Sequence, residues 1–302
     1  MKTLGYLCRL VAMVAPLVGV VSCGQSGHGS SAKIVLGHEV DARKYPAVSL
    51  QELGPDGEFE SFCTGVMLTP SYLLTAAHCS LDSEGSPSRP DAVSVVASDN
   101  DPESPGAVRH LVAGIKIEPG YSHDEDDEDE DEDSDIVKPG DARDIAVWKL
   151  RSPIPGVQTA ALLQATDLDA AFWDEAPIVI MGYGKQARRE KHYTKHNLHM
   201  AETKYFEHLG VDSKDYSEHF EEIAGRSATE FYAGAEGLPD TCNGDSGGPA
   251  FVKSKSGRLL LAGVTSRGLP SCDRGGVYTL VPAYLQWIRA QVADLRVGRI
   301  ND

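Results

Sequence analysis

The sequence predicts an all-β protein, a sandwich or barrel, and three observations carry that expectation. Short β-branched and apolar runs recur along the chain, clusters of turn residues separate them, and few helical patterns intervene. The 30 glycines and 17 prolines among 302 residues favour frequent turns over long helices. A hydrophobic content of 41% is enough to bury a large core, in one or two globular units.

The strand candidates run in order from Ala47 to Gln51, Gly65 to Leu68, Tyr72 to Ala76, Val93 to Ala97, Ile145 to Leu150, Ile178 to Met181, Leu259 to Thr265 and Gly276 to Val281. Two segments read as helix. One spans Ser213 to Ala224; the other runs from Pro282 to Val297, where Leu285, Ile288, Val292 and Leu295 fall at helical spacing and predict a C-terminal cap. No internal repeat is visible.

The first 23 residues read as an export signal. Lys2 and Arg9 make a positive start, and Leu10 to Val21 form an apolar run too short to span a bilayer stably. The run ends in Val20-Val21-Ser22-Cys23, which resembles the lipobox of bacterial lipoproteins, where the Cys becomes the lipidated first residue. An ordinary signal peptide with an incidental Cys23 is the other reading. The expected product is exported, either secreted or held at the cell envelope or outer membrane by lipid. Residues 24–33 are rich in Gly and Ser and read as a flexible tether or propeptide, leaving 34–302 as the folded domain.

The net charge of -17 is concentrated. Eleven carboxylates lie between Asp124 and Asp135, and setting them aside leaves -6 for the rest, so a nucleic-acid partner is not expected. The run Asp124 to Asp133 self-repels and reads as a solvated loop. Holding Ca²⁺ or favouring basic substrates are its functional alternatives. His192, His196 and His199 are spaced like helix-borne metal ligands, but they sit in a segment read as loop and strand, so neither metal nor cofactor is expected.

Setting aside Cys8 and Cys23 leaves Cys63, Cys79, Cys242 and Cys272, an even number in an exported chain. Three pairings are possible. The short separations favour Cys63 with Cys79 and Cys242 with Cys272, each contributing about 3 kcal/mol.

Three short segments supply the groups that a serine nucleophile needs, since a hydroxyl is weak at neutral pH without a His base and a carboxylate to orient it. Thr75-Ala76-Ala77-His78-Cys79 offers the base, Asp144 opens an apolar strand, and Gly244-Asp245-Ser246-Gly247-Gly248-Pro249 surrounds a serine with glycines. Those glycines let two amide N–H groups face one oxyanion.

With these residues in the order His, Asp, Ser, the chain resembles the chymotrypsin/trypsin family of serine proteases from Ile34 to Val297. The likeness includes Ile34-Val35-Leu36-Gly37, Tyr45-Pro46, Gly182-Tyr183-Gly184, Phe231-Tyr232-Ala233-Gly234, Ser266-Arg267-Gly268 and Gly276-Val277-Tyr278-Thr279. It implies two packed six-stranded antiparallel β-barrels with a C-terminal helix. It also implies a hydrolase in which Ser246 attacks, His78 shuttles the proton, Asp144 orients the imidazole, and the N–H groups of Gly244 and Ser246 hold the oxyanion.

The resemblance puts Asp240 at the base of the primary pocket, with Ser266, Gly268 and Gly276 lining it, which implies protein or peptide substrates cut after Arg or Lys. It further implies a zymogen. A cut after Lys33, by an activating protease or by the enzyme itself, frees an Ile34 ammonium to pair with Asp245; the same cut would release a lipid-tethered enzyme. Lys185 to Lys195, with Arg188, Arg189 and Lys191, reads as an exposed loop open to autolysis.

Departures from the family pattern are Leu36 for Gly, Tyr183 for Trp and Arg267 for a pocket-flanking Trp. Ile178 and Val252 occupy both ends of one family disulfide, and Tyr232 one end of another. The alternative function is a catalytically silent binding protein on the same fold, using the acidic loop to hold a basic partner.

Overall fold

The run Ile178-Val179-Ile180-Met181 has no polar member because both of its faces are buried. In the computed structural model, Ile178 and Ile180 point into one barrel while Val179 and Met181 point into the layer between two barrels. The structure describes residues 34–55, 57–121, 143–184, 197–207, 226–268 and 272–302, all within the compact unit of residues 31–302.

After a two-residue strand β1 (His38–Glu39) come β2 (Ala47–Leu53), β3 (Phe59–Thr69), β4 (Tyr72–Thr75), β5 (Val93–Ala97), β6 (Arg109–Ile117) and β7 (Ala146–Leu150). Strands β2 to β7 close into a barrel in the order β2-β3-β4-β7-β6-β5, with every ladder antiparallel. Its interior is filled by Val48, Leu50, Met67, Leu73, Val95 and Trp148. The fully buried indole of Trp148 donates to Ser80 Oγ at 2.8 Å, so its one polar group is satisfied.

The second half holds β8 (Ala161–Leu163), β9 (Pro177–Gly182), β10 (His199–Lys204), β11 (Glu230–Ala233), β12 (Pro249–Lys253), β13 (Leu259–Gly268), β14 (Gly276–Leu280) and β15 (Val297–Gly298). Six of them pair in the order β10-β9-β12-β13-β14-β11. Among the described residues the ring closes through one bridge, Tyr205 to Ala233, supported by Gly234 N–H donating to Lys204 O at 2.8 Å. This half is also larger than the expected six antiparallel strands: β1 extends it, and β8 pairs in parallel with both β13 and β15.

Residues from both halves meet in one apolar layer that includes Val66, Leu68, Val147, Met181, Phe251 and Val264. The expected C-terminal helix is present but shorter. A 3₁₀ turn (Val281–Tyr284) leads into α2 (Leu285–Gln291), which follows α1 (Leu168–Ala171) in the chain. It stops at Gln291 because Val292 is extended, with φ -124° and ψ 117°, while its N–H still bonds Ile288 O. Leu285, Ile288 and Val292 all pack on the inter-barrel layer, so the apolar spacing marks burial beyond the helix itself. The helical pattern at Ser213 to Ala224, the export signal, Cys23, Lys33, the acidic run and the basic segment with His192 and His196 lie outside the described residues.

Candidate active site

His78 follows β4 and begins a short 3₁₀ turn whose next residue, Cys79, is disulfide-bonded to Cys63 on β3. The bond pins the turn to the barrel wall. His78 N–H donates to Asp144 Oδ1 at 2.9 Å, and Nδ1 faces Asp144 Oδ2 at 2.8 Å. The imidazole is 33% exposed and the carboxylate 3%, so one ring edge reaches the cleft while the acid is sealed.

Asp144 stands just before β7. Its Oδ2 also accepts from Ser266 Oγ at 2.7 Å, and its main-chain oxygen accepts from Thr279 Oγ1 at 2.9 Å. Burial works to raise the carboxyl, but the charge of His78 and the hydrogen bonds from His78 and Ser266 outweigh it and hold Asp144 below the ordinary carboxylate range.

Ser246 lies in the turn leading to β12. Gly244 has φ +94° and Gly247 φ +75°, values that a side chain would resist. Thr64 clamps the turn from β3: its Oγ1 donates to Gly244 O at 2.8 Å, and its N–H donates to Ser246 O at 2.9 Å. Cys79 Sγ lies 3.5 Å from His78 Nε2 and 3.6 Å from Ser246 O, so the imidazole edge and the serine share one neighbour.

Asp245 is fully buried, its Oδ1 accepting from Gly184 N–H at 2.8 Å and its Oδ2 from Cys242 N–H at 2.9 Å. A Cβ on Gly182 would collide with that carboxylate, and one on Gly184 would come within 2.5 Å of Asp245 N. Both glycines of Gly182-Tyr183-Gly184 are therefore needed to seat Asp245.

Beside Ser246 opens a cavity of about 180 Å³ lined by Thr241, Asn243, Ser266, Arg267, Gly268 and the Cys242–Cys272 disulfide among others. Next to its lining, Asp240 is buried, Oδ1 accepting from Thr241 N–H at 2.7 Å and Oδ2 from Gly275 N–H at 2.9 Å. Burial lifts this carboxyl to about 6, more than the hydrogen bonds from Gly275, Thr241 and Arg274 lower it. No Lys or Arg among the described residues forms an ion pair with it. A Cβ at Gly276 would lie 3.8 Å from Asp240 Oδ1 and 3.2 Å from Arg267 O; Gly276 itself is not among the residues lining the cavity.

Ile34 is fully buried among second-barrel residues, and Val35 exchanges hydrogen bonds with Asp240, N–H to O at 2.9 Å and O from N–H at 3.3 Å. Cys63, His78 and Cys79 cluster closely enough to suggest a metal, but both thiols are spent in the disulfide. His199 is on β10, buried, with Nδ1 against Asn197 O at 3.0 Å.

Comparison with known proteins assigns the family: the trypsin family model matches residues 34–288. The chain belongs to the trypsin family. It is a trypsin-like serine endopeptidase. It is 31% identical over 278 residues to transmembrane protease serine 9 of Rattus norvegicus, covering 88% of this chain but spanning only 23% of that protein. A trypsin-like protease of Streptomyces glaucescens is 27% identical over 93% of this chain and 91% of its own. CLIP domain-containing serine protease B9 of Anopheles gambiae is 29% identical, over 95% and 69% respectively.

Against the trypsin pattern, three departures now have physical accounts. Ile178 and Val252 lie one step beyond the paired residues Val179 and Phe251 in the β9–β12 register, and both are buried in one apolar cluster where the family has a disulfide. Tyr183 sends its hydroxyl to Asp99 O at 3.1 Å. Arg267 forms a two-pronged ion pair with Glu230 on β11, one prong at 3.1 Å. Sequence reading did not foresee Thr64, Thr279 or Glu230, and named Ser266 only as a pocket residue; no local spacing announces contacts made across 37 to 180 residues.

Proposed function

We propose that this endopeptidase cuts peptide bonds after Arg or Lys, with Ser246 as nucleophile, His78 as base, Asp144 as the orienting carboxylate, and the N–H groups of Gly244 and Ser246 as oxyanion donors. The observation that carries the specificity is Asp240, a buried carboxylate beside the pocket with no cationic partner among the described residues. A substrate guanidinium or ammonium supplies the missing charge.

In the first half-reaction Ser246 Oγ bonds to the scissile carbonyl carbon as its proton passes to His78 Nε2. The Asp144 contact at Nδ1 holds the tautomer that leaves Nε2 free to accept. The tetrahedral oxyanion forms against the two amides. It collapses as the C–N bond breaks, and His78 returns the proton to the departing amine. Water then attacks the acyl-enzyme by the same route, releasing the acid and restoring Ser246.

The chain is made as an exported precursor: residues 1–23 are the signal, 24–33 the tether, and 34–302 the peptidase domain. A cut after Lys33 frees the Ile34 ammonium for Asp245. The burial of Ile34 and the pairing of Val35 with Asp240 support a link between that cut and the pocket. The two disulfides suit an oxidising compartment. Where Cys23 is lipidated, the same cut detaches the enzyme from the membrane.

The test is turnover of an Arg anilide, with labelling of Ser246 by a covalent serine-protease reagent, before and after treatment with immobilised trypsin. Activity is expected only after the cut, from a chain starting at Ile34, and not from Ser246→Ala treated alike. Equal activity from chains that retain residues before Ile34 would overturn the zymogen reading, and turnover after Leu in preference to Arg would overturn the pocket assignment. Mass spectrometry of the precursor's N-terminus distinguishes a lipidated Cys23 from a plain signal cut.

A further inference from the structure

Tyr232, on β11, stands where the family has one end of a disulfide, and its side chain is fully buried. A buried phenol needs a partner for its hydroxyl. Tyr232 Oη donates to Arg274 O, 42 residues away in the segment that leads into β14. Two glycines let the chains come this close. Gly234 has φ +104° and Gly275 φ +99°; a Cβ on Gly234 would lie 2.6 Å from Gly275 Cα, and one on Gly275 would lie 2.5 Å from the Tyr232 hydroxyl.

Arg274 O and Gly275 N belong to one peptide group. That group is planar and trans, so its C=O and N–H point in opposite directions. The oxygen accepts from Tyr232, and the N–H donates to Asp240 Oδ2 at 2.9 Å. Phenol and carboxylate thus grip one rigid plane from its two sides. A hydrogen bond accepted at the oxygen also polarises the amide and makes its N–H a stronger donor. The beneficiary is a buried carboxylate, for which every donor counts.

We propose that Tyr232 is a positioning residue: its hydroxyl fixes the Arg274–Gly275 peptide, that peptide fixes the Asp240 carboxylate, and the chain of contacts sharpens the preference for a cationic over an uncharged side chain before the scissile bond. The inference rests on the reading of Asp240 given above and adds the residue that holds the charge in place. Tyr232 does not line the cavity beside Ser246, so its effect on substrate passes through the peptide. A Phe at this position would fill the volume of the ring and leave Arg274 O without this donor.

The experiment uses the full chain after immobilised-trypsin treatment, as parent and as Tyr232→Phe. Two thioesters are compared, one with Arg before the scissile bond and one with citrulline, the neutral isostere of Arg; a thioester is reactive enough for the poorer substrate to turn over. In Tyr232→Phe the Arg-to-citrulline ratio of kcat/KM is expected to fall by about three- to tenfold, the worth of one hydrogen bond, through a higher KM for Arg. The inhibition constant of benzamidinium should rise by the same factor, and citrulline turnover should match the parent's. The ratio is internal to each preparation, so a smaller folded fraction leaves it unmoved.

An unchanged ratio in Tyr232→Phe overturns the inference while leaving the Asp240 reading intact. Equal losses on both thioesters would mean that the hydroxyl supports the barrel as a whole and not Asp240, and would overturn it too. A parent that turns over citrulline as well as Arg would overturn the pocket reading beneath, and the inference with it.

Discussion

Ser266 Oγ donates to Asp144 Oδ2 at 2.7 Å, the same carboxylate oxygen that faces His78 Nδ1. One side chain from β13 in the second half therefore fixes a carboxylate delivered by β7 in the first. Because the hydrogen bond is to a charged, buried acceptor, Ser266→Ala is expected to cost about 1.5 to 3 kcal/mol of stability at neutral pH. Asp144 is held below its ordinary range, so the stability it contributes is complete above the unfolded carboxylate pKa and is lost as pH falls through the depressed folded one. The difference between parent and variant should accordingly shrink in strong acid. Denaturant titrations at neutral and strongly acidic pH measure it, and an unchanged difference would locate the effect elsewhere.

Asp240 titrates in the opposite sense. Burial raises its folded pKa to about 6 from 3.8, so the unliganded protein pays a growing penalty as pH rises from about 4 through 6 and the acid ionises. A shift of that size corresponds to about 3 kcal/mol. A bound cation reverses the balance, because it needs the ionised form. Benzamidinium affinity should therefore fall by about tenfold for each pH unit below the folded pKa and level off above it. In Asp240→Asn the unliganded protein should become more stable at pH 7, the pH dependence of binding should vanish, and Arg turnover should be lost. Calorimetric titrations across pH 4.5 to 8 provide the readout.

Gly182 and Gly184 are required by a neighbour remote in sequence. A side chain on Gly182 would occupy the space of the Asp245 carboxylate, which is fixed by Gly184 N–H and Cys242 N–H. Gly182→Ala should therefore push the Asp245-Ser246 turn, costing about 1 to 3 kcal/mol or more in overpacking. Turnover should fall further than stability, because the displaced residue is next to Ser246, the proposed nucleophile. Gly114→Ala is the matched control: nothing lies within 4 Å of its Cβ position, and both its thermal midpoint and its turnover should stay near the parent's.

What could be read from sequence divides by the range of the interactions. The Ser246 turn and doubly buried runs such as Ile178 to Met181 carry their signal within a few residues, and the Cys63–Cys79 and Cys242–Cys272 pairs carry theirs within separations of 16 and 30. Strand β6 does not: among Arg109 to Ile117 only Val112 is buried, so its alternation is too weak to mark a strand. The helix after Pro282 was overextended because Val292 and Leu295 pack on the inter-barrel layer from non-helical backbone, and burial alone mimicked helical spacing. The Thr64 clamp and the Ser266 bond are invisible for a different reason: each joins polar residues more than 120 positions apart, and either residue alone reads as surface Ser or Thr.

Arg267, which departs from the family's pocket-flanking Trp, is held by Glu230. Its side chain is 8% exposed and that of Glu230 15%, and the two meet through the two terminal guanidinium nitrogens and both carboxylate oxygens. Arg267 Nε is buried without a hydrogen-bond partner among the described residues, so the pair is not fully satisfied there. Removing one member strands the other charge in a poorly hydrated wall. Glu230→Leu and Arg267→Leu should each cost about 3 to 5 kcal/mol, whereas the double substitution should recover most of that loss because an apolar pair needs no desolvation of charge. Arg267 also lines the cavity that holds Ser246, so on the proposed cleavage after Arg, kcat/KM toward peptides with apolar residues before that Arg should rise in the double variant relative to polar ones. Chemical denaturation of the four proteins closes the cycle. Additive single losses would mean that the ion pair acts as two independent side chains.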